Sequence, residues 1–167
     1  DVVQRIVSGY AMSADIDLQD DTIPFDQCKE AFGKFYTQYA AVREMHGNKA
    51  VGRVTSWKPD EEKRAIWVEC YISKSRDGDD VLTKIQEGIL RGFSIGGKAL
   101  SWVSKAVGGR TVRELTKIEI RELSVVDVPA NPAAKIVLWK ALDDGTISAD
   151  VIATATDSPS AFQLIGK

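Results

Sequence analysis

One histidine, His46, stands in a chain of 167 residues, together with only two cysteines, Cys28 and Cys70. Any histidine-based catalysis therefore has a single candidate base. The two cysteines lie far apart in sequence and in different predicted elements, whereas a small secreted scaffold would carry more, so both are expected to be reduced core residues. Long hydrophobic runs are also missing, which excludes a helical membrane span and makes a membrane an unexpected partner. There is no excess of positive charge: the formal net charge is -2 and the 22 Lys and Arg are scattered. Nucleic acid is therefore not an expected partner. No charged-then-apolar leader precedes the first strand-like segment, and the chain opens on Asp1, which reads as a processed or truncated cytosolic fragment. What is present, 44% apolar and 28% charged residues, suits one globular domain with a sizeable core.

Residues 2–12 read as a strand, and the acidic "SADIDLQDD" after them as a loop. From Pro24 the apolar positions Phe25, Cys28, Phe32, Phe35, Tyr39 and Val42 recur at helical spacing, which predicts a helix to about Met45, with Asp21 or Thr22 as the start signal. His46 follows, then the turn pair Gly47-Asn48. A hairpin is expected from "AVGRVTSW" and "AIWVECYIS" across the charged turn "KPDEEKR", then a short helix over 79–90. Residues 93–104 and 111–128 read as two long strands joined by "KAVGGR". In the second, Ile118 and Ile120 share a parity that Leu123 and Val125 break, so a bulge is expected at Arg121-Glu122. A short strand over 135–139 follows, then a flexible tail from Asp143 rich in Ala, Ser, Thr and Asp. Short strands, hairpin turns and two helices predict an α+β or mostly β barrel.

Gly92 to Gly96 fits G-x-S-x-G, whose glycines would let the backbone turn sharply and present the Ser94 hydroxyl. A serine needs a neighbouring base, and His46 precedes Ser94. This order excludes the α/β-hydrolase sequence of Ser, acid, His, and the acids between 46 and 94 sit mainly in a charged turn and a loop, which speaks against a chymotrypsin-like order. The remaining order is His, Ser and a third member in the strand over 111–128. A Ser94-Lys98 dyad is disfavoured because four residues of strand span about 13 Å. Asp15, Asp17, Asp20 and Asp21 lack the calcium-loop register and read as a solvated loop.

Four segments in order, "SGYAM" with its acidic loop, "REMHGNKAVGRV", "ILRGFSIGG" and "KIEIRELSVVDVPANPAA", resemble the prohead, or capsid maturation, proteases of tailed phages. The fold of that family is similar to that of herpesvirus assemblin proteases. The resemblance implies an antiparallel β-barrel with a few flanking helices, a protease domain over 1–142, and a tail over 143–167 where self-cleavage is expected. It implies a serine endopeptidase without a cofactor or metal, with Ser94 as nucleophile and His46 as general base. Its third member is an acid near "ELSVVD", where assemblins carry a second histidine; Glu122, at the phase slip, is preferred over Asp127 and Glu119. Oxyanion donors would come from the N–H groups of Ile95 and Gly96 or from the Ala130-Asn131 loop. The implied substrates are the phage scaffold protein, or the scaffolding segment of the major capsid protein, cut inside the procapsid in the host cytoplasm. The assemblin likeness also makes a homodimer worth testing. Two other readings use the same residues: a non-catalytic capsid-assembly or scaffold-binding module, and an esterase acting on small acyl substrates.

Overall fold

A computed structural model describes residues 5–140, so the tail expected from Asp143 lies outside them. The elements run β1 (Ile6–Ser13), β2 (Asp21–Thr22), α1 (Phe25–Gln38), β3 (Ala41–Glu44), β4 (Ala50–Asp60), β5 (Ala65–Ile72), α2 (Arg76–Gln86), β6 (Gly92–Val107), β7 (Arg110–Val126) and β8 (Ile136–Lys140). Strands predominate over the two helices, the α+β architecture expected, and the main sheet curls into a half-barrel.

Strand β7 organises the sheet because it is long enough to take two short partners on one edge. Asp21 of β2 pairs with Arg113, and Val42 of β3 with Leu123, both in parallel register. Its other edge is filled along its length by antiparallel β6. The sheet continues from β3 through β4, β5 and β1 to β8. At one end the segment 134–136 lies between β1 and β6. Tyr10 N–H donates to Lys135 O (3.2 Å), Phe93 N–H to Ala134 O (2.8 Å) and Ile136 N–H to Arg91 O (2.9 Å).

Phe25, Cys28, Phe32 and Phe35 of α1 are buried against Val7, Val54, Val68, Leu123 and Val125. Each apolar side chain so buried contributes about 1.5–3 kcal/mol. Both cysteines are free and buried, and desolvation pushes the Cys28 thiol up to about 12 and raises that of Cys70 as well.

Helix α1 stops at Gln38 rather than near Met45. Ala40 adopts φ 52°, which no helix continues, and the next residues enter β3, where β4 and β7 supply hydrogen bonds on both sides. Val42 is fully buried as a strand residue whereas Tyr39 is half exposed, so their helical spacing is a coincidence and not one buried stripe. The expected caps, Asp21 and Thr22, form β2 instead, and Pro24 stands at the N-cap without a side-chain bond. Helix α2 starts before the expected 79 because the Ser75 hydroxyl caps it, accepting from Gly78 N–H at 3.3 Å. Gly108 and Gly109 take φ 57° and 80°, as the tight turn between β6 and β7 requires.

Candidate active site

Ser94 is the third residue of β6, in the middle of regular pairing, directly opposite Ser124 of β7. The sharp turn expected from the flanking glycines is absent, and neither Gly92 nor Gly96 has positive φ. Both are there for space. A Cβ on Gly92 would stand 2.7 Å from Ala134 O and 2.8 Å from the Pro129 ring, and one on Gly96 would stand 2.6 Å from Cγ and Oε1 of Glu122. The motif therefore marks close approach to a loop on one side and to a carboxylate on the other.

The expected bulge exists. Gly96 faces Glu122 and Gly97 faces Ile120, leaving Arg121 as the extra residue of β7. The slip lets Ile120 and Leu123 both face the core while Glu122 and Ser124 share the face of Ser94.

His46 reaches this face from β3. The chain turns over Glu44–Gly47, where Gly47 N–H donates to Glu44 O at 2.8 Å and both central residues are left-handed, Met45 at φ 49° and His46 at φ 55°. Met45 N–H ties the turn to Val125 O at 2.9 Å, so the histidine is held over β7 by backbone rather than by its own packing. Positive φ at a non-glycine residue is a local cost, and histidine tolerates it better than most.

The three side chains form one hydrogen-bonded line across adjacent strands. Ser94 Oγ is 3.0 Å from His46 Nε2, and His46 Nδ1 is 2.5 Å from Glu122 Oε1. A carboxylate on Nδ1 fixes the proton there, which leaves Nε2 free to accept from the serine hydroxyl. The second oxygen, Oε2, accepts from Arg43 Nη1 at 3.1 Å. The Ser94 residue is 7% exposed and the Glu122 side chain 14%, against 45% for the His46 side chain. The imidazole thus sits at the mouth and its partners lie below it. Such a line can draw the proton from Ser94 as its oxygen attacks an acyl carbon and return it to the leaving group.

The alternatives for the third position do not reach the imidazole. Glu119 forks with Arg121 at 3.0 and 3.1 Å, and Asp127 accepts from Val128 N–H at 2.7 Å. Lys98 lies on β6 opposite Glu119 and lines the cleft, but Ser94 Oγ is bonded to His46.

Ser94 and His46 open into a cleft of about 430 Å³, with Met12, Ile23, Leu115 and Ile118 among its apolar lining. Asn131 pins the loop that closes one side: its Nδ2 donates to Ser13 Oγ (2.9 Å), and its Oδ1 accepts from Ala133 N–H (2.9 Å). The sequence profile of the caudovirus prohead serine proteases matches residues 3–144, a span that contains all three side chains.

The chain belongs to this family.

A comparison with individually curated proteins finds no match. Membership in the prohead serine proteases makes a capsid-related protein the class of substrate. Among the described residues no helix is long and apolar enough to cross a membrane. Two contributors to the site are hidden in the sequence. Arg43 precedes His46 by three residues in a segment with helical spacing, and its meeting with Glu122 is visible only through the β3–β7 pairing. Gly96 signals flexibility in the sequence, whereas its role is the room it leaves. Gly96→Ala is therefore expected to lower turnover by about 10²-fold, by displacing the Glu122 carboxylate, while the circular dichroism spectrum stays that of the parent protein.

Proposed function

We propose that this prohead serine protease is an endopeptidase in which Ser94 is the nucleophile, His46 the general base and Glu122 the group that orients and stabilises the imidazole. The observation that carries the reading is the continuous line from Ser94 Oγ to His46 at 3.0 Å and on to Glu122 at 2.5 Å. A non-catalytic assembly module has no need for such a line opening into a cleft.

The oxyanion donors follow from strand alternation. Phe93 N–H points away from β7 to Ala134 O, so Ile95 N–H two residues on faces the same edge, whereas Gly96 N–H turns toward β7. Ile95 N–H, with backbone from the Ala130-Asn131 loop lining the same cleft, is the proposed pair.

In this reading the domain over 1–142 is related to the herpesvirus assemblins, with Glu122 where these carry a second histidine. It cuts the scaffold, or the scaffolding segment of the major capsid protein, inside the procapsid in the host cytoplasm. It also cuts itself within 143–167, and it works as a homodimer. The test is co-expression of the full chain with a candidate scaffold or capsid protein, with intact mass spectrometry of both partners. Discrete fragments of the partner and of the chain's own tail are expected. Rapid turnover of short esters with no peptide cleavage would replace the endopeptidase by an esterase.

A further inference from the structure

We infer that Arg43 is a positioning residue of this site, which holds Glu122 for His46; the inference rests on the proposed Ser94-His46-Glu122 triad. Register places Arg43 of β3 beside Ser124 of β7, one strand over from Ser94 and two residues beyond Glu122. Its Nη1 lies 3.1 Å from Glu122 Oε2 while His46 Nδ1 takes Oε1, so each carboxylate oxygen has its own partner and the carboxylate cannot swing about its last torsion without losing one. The pair is shielded on the carboxylate side, with 14% of the Glu122 side chain exposed and 38% of that of Arg43, so the ion pair is less screened than one in open solvent.

Arginine stays charged throughout the working pH range, so its bond to Oε2 keeps the Glu122 rotamer fixed under His46, which favours transfer from Ser94. The other charges near the site are mostly engaged elsewhere: Glu44, next in β3, pairs with Lys84 of α2 at 2.7 Å, and Glu119 of β7 pairs with Arg121 at 3.0 Å. Lys98 of β6 and Asp15 and Asp17 of the β1–β2 loop line the same cleft, and none of them is bonded to Glu122 or His46. Arg43 is therefore the cation that acts directly on the acid of the triad.

The experiment follows the rate at which a fluorophosphonate probe labels Ser94 in the full chain in wild type, Arg43→Gln, Arg43→Lys, Glu122→Gln and the Arg43→Gln/Glu122→Gln double variant. Arg43→Gln is expected to slow labelling about tenfold, because Glu122 loses the charged partner of its second oxygen. Arg43→Lys, which keeps the charge, is expected to restore most of the rate. In the Glu122→Gln background Arg43→Gln should change nothing further, since the arginine acts through that carboxylate. Labelling of Arg43→Gln at the wild-type rate would overturn the inference while leaving the triad intact. So would equal slowing by Gln and Lys, or further slowing by Arg43→Gln in the Glu122→Gln background, which is what a purely structural role predicts. A wild-type protein whose Ser94 does not label would overturn the triad and the inference together.

Discussion

Ser94→Ala is expected to reduce peptide cleavage by about 10⁶-fold, to the level set by substrate binding and oxyanion contacts alone. His46→Ala should cost a similar factor, and the double variant should be no worse than either, because nucleophile and base act as one unit. Geometry leaves little redundancy: Ser94 Oγ meets His46 Nε2 at 3.0 Å, and the chain has one histidine to offer. Lys98 is not placed to take over, since it lies across from Glu119 on the β6–β7 ladder. The same base sets the pH dependence. A protonated imidazole cannot accept from serine, so cleavage should rise between about pH 4 and about pH 8. Equal rates at both ends, or multiplying losses in the double variant, would remove His46 from the mechanism.

Glu122→Gln is the second large effect, with an expected loss of about 10⁴-fold in turnover at nearly unchanged shape. The amide can still touch Nδ1, but it offers an N–H as readily as a carbonyl, so it permits the tautomer that carries its proton on Nε2, pointing at the hydroxyl it should receive from. It also carries no charge to balance the imidazolium that forms as Ser94 gives up its proton. Asp127→Asn and Glu119→Gln serve as the controls. Their carboxylates bond to Val128 N–H and to Arg121, and both variants should stay within about threefold of wild type, as exposed substitutions usually do. Measured on a peptide containing a mapped cleavage site, a large loss in either control with little loss in Glu122→Gln would reassign the third position.

Features that local chemistry enforces are legible in the sequence. The single histidine leaves the proposed mechanism one candidate base, because no other imidazole competes for that role. A period-two run locates β5, since alternation is what one buried face of a sheet demands. The break in parity at Arg121-Glu122 announces the bulge, because two core residues of opposite phase can share a face only if one residue is extra. Where two local patterns coincide, the sequence misleads. Val42 fits a helical stripe and a strand equally well, and only pairing with β7 decides between them. Ser94 has the sequence surroundings of a turn because glycine signals freedom and close approach alike. Here the neighbours that exclude a side chain, Pro129, Ala134 and Glu122, come from distant sequence. The meeting of Arg43, His46, Ser94 and Glu122 is set by sheet order alone: β7 runs between β3 and β6, and hydrogen-bond register along both its edges brings residues up to 79 apart within reach of one another. Register is a property of paired strands, so no single segment encodes it in readable form.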